Sequence, residues 1–290
     1  MTHTNEIHAL FTLIDDPDEE VFGAVSDRIV GLGSPIIPDL ENLWENTPSE
    51  SVQNRIELLI HRLHFTDLSE DIRQWSLSGH HDLLVGALLA ARFQYPDLSA
   101  APVMQEIEKV RRNIWLELNQ YLTPLEQATI MTSILYSYYG LKGTETNYKE
   151  PQEFLLQKTL EARRGNQVSN GILYLILCER LDLPVRAVRI PKQFILGYLK
   201  PGYSDPRHPD PKQNIEFFID PTSGLVFTHQ DVSNYLERIA EPPSADIFRP
   251  QSNKQVLQQL LSQLGRCFDT EAQRYKQEEL QQLVQLLDDN

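Results

Sequence analysis

Arg164-Gly165-Asn166-Gln167-Val168-Ser169-Asn170-Gly171-Ile172-Leu173-Tyr174-Leu175-Ile176-Leu177-Cys178 is the stretch that decides the fold. From Ile172 to Cys178 every side chain is apolar, so a helix here is apolar on all faces and must be buried all round. Downstream the pattern changes. Pro184 to Ile190 is strand-like, as are Phe194 to Leu199 and Ile215 to Ile219. Between the last two, residues 201–211 form a turn-rich loop whose four prolines forbid a regular element. One buried helix packed on consecutive strands predicts an α+β core.

Upstream the reading is helical. Thr123-Pro124 is a helix start signal, the helical pattern runs from Tyr121 to Tyr139, and Gly140 to Thr144 breaks it. Gln152 to Arg163 reads as another amphipathic helix. In the first third, helical patterns open at Asp18, Ser51 and Asp82, separated by 33 and 31 residues. Ser34-Pro35 starts a second helix within the first period. A period of this size with two helices per unit predicts a stacked-helix solenoid, and Asp15 to Val21 resembles the opening of a HEAT repeat. After Asn253 the chain returns to helix, with one stripe on Val256, Leu257, Leu260, Leu261 and Leu264 and another on Leu280, Leu283 and Leu286. That pair is read as a C-terminal hairpin, tetratricopeptide-like in pattern. The predicted fold class is α+β and predominantly helical: HEAT-like repeats over residues 1–120, an α+β core with a small antiparallel sheet over 121–246, and the hairpin over 247–290.

Composition narrows the function classes. The 290 residues carry 26 Lys+Arg against 41 Asp+Glu, a formal charge of −15. Such a surface repels phosphate backbones and anionic lipid, so neither nucleic acid nor a membrane is an expected partner. Electrostatics alone favour a protein partner that presents a basic face. Cys178 and Cys267 are the only cysteines and lie outside any CxxC spacing, which excludes a disulfide scaffold and a cysteine-rich zinc site. The N-terminus does not read as a signal peptide, and no run approaches the roughly 20 apolar residues of a spanning helix; a cytoplasmic protein is expected. The 13 glycines form neither GxGxxG nor a Walker-type loop, so no nucleotide cofactor, and no cofactor of any other kind, is expected.

The opening stretch, followed by Leu183-Pro184-Val185-Arg186, Ile190-Pro191-Lys192-Gln193-Phe194 and Phe218-Ile219-Asp220-Pro221-Thr222-Ser223-Gly224, resembles the transglutaminase-like SirB family. Ala87 to Arg92, Tyr95-Pro96-Asp97, Asn147-Tyr148 and the tail from Arg249 extend the resemblance, which covers roughly residues 80–288. It implies a thiol nucleophile two residues after a Gly at the start of the buried helix, where the helix end stabilises a thiolate. It also implies a His base on the strands that follow, and an orienting Asp in an Asp-Pro-Thr setting. Those positions hold Gln167, Gln193 and Asp220. The family motif Pro-Gly-His-Phe stands here as Pro191-Lys192-Gln193-Phe194. A glutamine amide neither ionises to a nucleophile nor shuttles protons near neutral pH, so no catalytic residue is expected and the site reads as a degenerate triad. Asn166, Ser169, Phe194 and Asp220 are the candidate pocket residues. Asp220 is either a functional remnant or a carboxylate bonded to the loop after Pro221.

Other residues offer little replacement chemistry. Cys178 lies about 16 Å along the helix from Gln167 and reads as a buried apolar thiol. Ser169 would need a base; His208 and His229 are the nearest in sequence, and a first-turn Ser more often bonds backbone. His61 and His64, three apart on a helix, and the adjacent His80-His81 lack a third ligand, so no metal is expected. The expected function is that of a non-catalytic transglutaminase-like protein acting as an interaction or regulatory scaffold through its helical-repeat surface. The alternative is a hydrolase or acyl transferase with a non-standard nucleophile.

Overall fold

The computed structural model describes residues 2–200, 211–242, 244 and 246–288, so the loop read at 201–211, with His208, lies almost wholly outside them. The chain divides into two compact units, Met1–Asp71 and Ile72–Asn290.

The first unit is helical: α1 (Thr2–Leu13), α2 (Glu19–Val30), α3 (Ile37–Asn46) and α4 (Glu50–Leu77), whose last residues pass into the second unit. Apolar residues at helical spacing, among them Phe22, Val25 and Ile29 of α2 and Ile56, Leu59 and Leu63 of α4, bury one core with Ile14 and Leu40. Asp18 caps α2 by accepting from the Glu20 backbone N–H at 2.9 Å. Ser34-Pro35 opens a single 3-10 turn, Ser34–Ile36, which leads into α3. The period starting at Ser51 holds no helix pair. It is one 28-residue helix, because no Gly or Pro interrupts residues 50–77.

The second unit opens with α5 (Leu83–Arg92), capped by Asp82, then α6 (Ala100–Glu117) and α7 (Pro124–Thr132). Thr123 and Glu126 form a capping box at the start of α7, which continues as a π-helical segment, Ser133–Tyr138. A short parallel pair, β1 (Lys142–Gly143) with β2 (Arg164–Gly165), flanks α8 (Leu156–Ala162). The helix expected over 152–163 is thus interrupted: Pro151–Phe154 is a 3-10 turn, and Leu155 is extended before α8 begins.

The decisive stretch is α9 (Gln167–Arg180). Every residue from Val168 to Cys178 is buried, as the all-apolar run requires. After it come β3 (Val185–Ile190), β4 (Gln193–Leu199), β5 (Ile215–Ile219) and β6 (Val226–Phe227), an antiparallel sheet in sequence order. Pro191 and Lys192 form a two-residue hairpin that pairs Ile190 with Gln193. Residues 248–251 cover the outer edge of β3, with Phe248 N–H donating to Arg189 O at 3.0 Å and Gln251 N–H to Ala187 O at 2.8 Å. The unit closes with α10 (His229–Arg238), α11 (Asn253–Gly265) and α12 (Arg274–Asp288). The last two form the expected hairpin, with Leu287 rather than Leu286 completing the buried stripe of α12. The molecule is predominantly helical α+β.

Candidate functional site

α9, the β3–β4 hairpin and the turn after β5 bring Gln167, Gln193 and Asp220 to one cavity of about 380 Å³. The three positions that resemble a triad are therefore neighbours in space. Gln167 Nε2 donates to Gln193 Oε1 at 2.7 Å, and Gln167 Oε1 accepts from the Phe194 backbone N–H at 3.0 Å. The first residue of α9 is thereby tied to the first two residues of β4.

Two close approaches permit this. Gly171 stands one helical turn after Gln167, and the Phe194 ring lies where any larger side chain would sit: a Cβ on Gly171 would meet Phe194 Cδ1 at 2.6 Å and Cε1 closer still. The second is the hairpin. Lys192 adopts φ +62 at the second loop position behind Pro191, a left-handed conformation for which glycine is the ordinary choice.

Asp220 is held by its own turn. Oδ1 accepts from the Thr222 backbone N–H at 2.9 Å and Oδ2 from the Ser223 hydroxyl at 2.8 Å. The Asp220 carbonyl accepts from Gly224 N–H at 2.7 Å, and Gly224 has φ +74. The helical segment behind braces the same turn: Tyr136 OH donates to Pro221 O at 2.7 Å, and Thr132 Oγ1 to Gly224 O at 2.9 Å. Burial, and after it the charge of Asp220, pushes the Tyr136 phenol far above its ordinary range, so Tyr136 stays a neutral donor. Of the two readings of Asp220, this geometry supports the structural carboxylate.

The remaining candidates lie behind the cavity. Asn166 is fully buried and caps α9, its Oδ1 accepting from the N–H groups of Val168 and Ser169 at 2.9 and 3.1 Å. Ser169 is buried, with its hydroxyl turned back to Asn166 O at 3.4 Å. The Phe194 ring is buried against Gly171. His229 Nε2 meets Ile215 O at 2.9 Å. None of Ser169, His229 and Asp220 hydrogen-bonds another, so the geometry assembles no serine-based triad from them. Cys178 is fully buried, and burial pushes its thiol well above the ordinary value; Cys267, half-buried, is pushed up to about 12. No group of three His, Cys, Asp or Glu side chains able to hold a metal occurs among the described residues.

The opposite wall comes from α10, which sequence reasoning missed. Asp231, Val232, Tyr235 and Arg238 line the cavity with Phe227, Ile190 and Ile195. Tyr235 OH donates to Pro191 O at 3.0 Å, which braces the hairpin, and Arg238 lies over the Tyr235 ring at 5.7 Å. The signal was present: Thr228-x-x-Asp231 is a capping box, with Thr228 N–H donating to Asp231 Oδ2 at 2.8 Å. Hydrogen bonds from the Thr228 hydroxyl and backbone hold the Asp231 carboxyl below its usual range.

A family model described as the transglutaminase-like superfamily matches residues 101–262, more than half of the chain. Protein SirB1 of Salmonella typhimurium is 31% identical over 111 residues, which cover 38% of this chain and 41% of that protein. UPF0162 protein YchA of Escherichia coli K12 is 31% identical over 114 residues, 39% of this chain and 42% of that one. UPF0162 protein PA3419 of Pseudomonas aeruginosa is 25% identical over 181 residues, 61% of this chain and 62% of its own. The matched part thus spans about two fifths of the length of the first two relatives. No solved structure matches the chain. No described helix is long and apolar enough to cross a membrane.

Proposed function

The chain belongs to the transglutaminase-like superfamily, and from that premise we propose that it is a non-catalytic member that works as a protein-interaction or regulatory scaffold. One observation carries the reading. The 2.7 Å hydrogen bond from Gln167 Nε2 to Gln193 Oε1 joins two neutral amides at the positions where the family resemblance implies a thiol and an imidazole. An amide pair offers no thiolate to attack a carbonyl and no base to take a proton. Asp220 has no imidazole to orient, and both its oxygens are engaged by Thr222 and Ser223.

The cavity supports binding rather than mere scaffolding of the fold. Its volume of about 380 Å³ suits a side chain or a small ligand, and its wall pairs apolar Ile190, Ile195 and Val232 with the Arg238 cation. The experiment is an acyl-transfer assay on the full chain, with a glutaminyl peptide and a fluorescent amine, and with p-nitrophenyl acetate for hydrolysis. No rate above buffer is expected. The double substitution Gln167→Cys with Gln193→His is expected to gain ester hydrolysis, because it places a thiol and an imidazole at hydrogen-bond distance. Turnover by the unaltered chain that disappears in Gln167→Leu would overturn the proposal.

A further inference from the structure

The cavity that holds the glutamine pair is charged at both ends, and the two ends carry opposite signs. α10 begins directly after β6, and the chain that leaves it reaches the outer edge of β3, where Phe248 N–H meets Arg189 O. The helix therefore crosses the sheet from edge to edge. Its residues Asp231, Tyr235 and Arg238, spaced i, i+4 and i+7 on one face, follow the cavity along its length. Asp231 stands at the β6 end. Asp220 joins it there, because its backbone N–H donates to Leu225 O, one residue before β6. Tyr235 OH reaches Pro191 O at the β3–β4 hairpin, and Arg238 lies a turn farther on.

Two carboxylates and one guanidinium thus line the cavity without pairing. Asp231 and Arg238 are about 10 Å apart along the helix axis. Among the described residues Arg238 has no hydrogen bond or ion pair, and its contact is the Tyr235 ring at 5.7 Å. Asp231 Oδ2 accepts both bonds from the Thr228 backbone and hydroxyl, at 2.8 and 2.6 Å, which leaves Oδ1 without a protein donor. Between the two ends, Gln193 Oε1 closes the amide pair, and Gln193 Nε2 has no acceptor among the described residues. Ile190, Ile195 and Val232 supply the apolar wall. A simple anion would meet the two carboxylates, and a simple cation would meet Arg238. A molecule that carries both charges, held apart, answers each end with its opposite; guanidinium receives a carboxylate through paired N–H donors.

We propose that this cavity binds a short free peptide as a zwitterion, with the α-ammonium between Asp220 and Asp231 and the terminal carboxylate on Arg238. A backbone carbonyl of the peptide accepts from Gln193 Nε2, and an apolar side chain lies against Ile195 and Val232. The separation of the charged ends sets the length at about three extended residues. A single amino acid, whose two charges sit on one carbon, does not span it. The inference names the ligand of the pocket described above and rests on the reading of that pocket as a binding site without catalysis.

The test is a saturation-transfer NMR titration of the full chain with the tripeptide Ala-Leu-Ala, its N-acetyl form, its C-terminal amide, and free leucine. The unblocked tripeptide is expected to bind, and each block or the shortening to leucine to weaken binding about fivefold or more, the loss of one charged contact at a partly open site. Arg238→Gln is expected to weaken the unblocked tripeptide by a similar factor and to leave the C-terminal amide as it was. Asp231→Asn, which keeps an oxygen for the Thr228 cap, is expected to do the same for the free amine against the N-acetyl form. Arg238 is exposed, so its substitution reports binding without disturbing the fold, and near-ultraviolet circular dichroism confirms each variant's folding. Arg274→Gln, outside the cavity, controls for net charge and is expected to change nothing. No detectable binding of the unblocked tripeptide, or equal affinity for it and its blocked forms, overturns the proposal. Leucine binding as tightly as the tripeptide also overturns it, as does an Arg238→Gln variant that weakens the free and amidated peptides alike. Cleavage of the tripeptide would refute the non-catalytic reading, whereas the dependence of affinity on the two termini decides this one.

Discussion

Gly171→Ala tests how the amide pair is built. In an ordinary helix interior the change gains about 1 kcal/mol of helix propensity. Here the added Cβ would stand 2.6 Å from Phe194 Cδ1, and nearer to Cε1, where carbon atoms prefer about 3.5–4.0 Å. The ring must retreat by about an ångström. It has nowhere to go: Phe194 is only 2% exposed, and its backbone N–H is committed to Gln167. Overpacking of this kind costs about 1–3 kcal/mol, and a fixed ring argues for the upper end, so the net expectation is about 2 kcal/mol of destabilisation. The sign is opposite to that of propensity alone, which makes the experiment decisive. Urea unfolding followed by near-ultraviolet circular dichroism measures it. Phe194→Leu removes the obstructing ring edge, so Gly171→Ala added to Phe194→Leu is expected to keep its propensity gain of about 1 kcal/mol, leaving a coupling energy of about 3 kcal/mol in a double-mutant cycle. A single Gly171→Ala variant as stable as the parent, or more so, would refute the claim that glycine at 171 lets β4 approach α9.

Asp220→Ala is expected to cost about 1–3 kcal/mol, because it leaves the Thr222 N–H and Ser223 hydroxyl without their acceptor; Asp220→Asn keeps one acceptor and should cost less, and an unchanged melting temperature in Asp220→Ala would remove its structural role. Lys192→Gly relieves φ +62 in the hairpin and is expected to stabilise by about 0.5–1 kcal/mol, with a lowered melting temperature as the contrary result. Burial holds the Glu179 carboxyl above its ordinary 4.5, outweighing the opposing bond from Asn253. A raised acid binds its proton more tightly when folded, so its contribution to stability is present below about 4.5 and is lost as pH rises through the folded value. Glu179→Gln should therefore gain stability over the parent near neutral pH and lose that gain in acid; a pH-independent difference in melting temperature would contradict this. Iodoacetamide is expected to leave Cys178 unmodified in the native chain, since it is fully buried, and mass spectrometry showing Cys178 labelled as fast as in urea would reverse that expectation.

What the sequence revealed, and what it hid, follows from how burial writes itself into residue types. A helix buried on all faces needs apolar residues at every position, so Ile172 to Cys178 announced α9 without help from any neighbour. Strands of two residues carry no period, and β1, β2 and β6 left no trace. α10 buries only Val232, so its apolar stripe was too thin to read, although its capping box was written plainly at Thr228 and Asp231. The long α4 was misread for the opposite reason: regular spacing of helix starts looked like a repeat of pairs, where an unbroken run simply continued.

The candidate site divides along the same line. The family resemblance located Gln167, Gln193 and Asp220, and all three line the cavity. Of the four candidate pocket residues only Asp220 reaches it: the Phe194 ring is buried against Gly171, and helix geometry explains the other two. At 3.6 residues per turn, Ser169 points roughly 200° away from Gln167, and Asn166 ends its side chain over the helix it caps. Gly171, four residues on, returns to the Gln167 face. The two residues therefore act as one device: the missing side chain at 171 admits Phe194, and the arrival of Phe194 brings Gln193 within 2.7 Å of Gln167. An i, i+4 pair of Gln and Gly can be read from the chain. What it cannot disclose is which strand residue fills the gap, because that depends on a hairpin whose second loop residue is a lysine in a glycine's conformation.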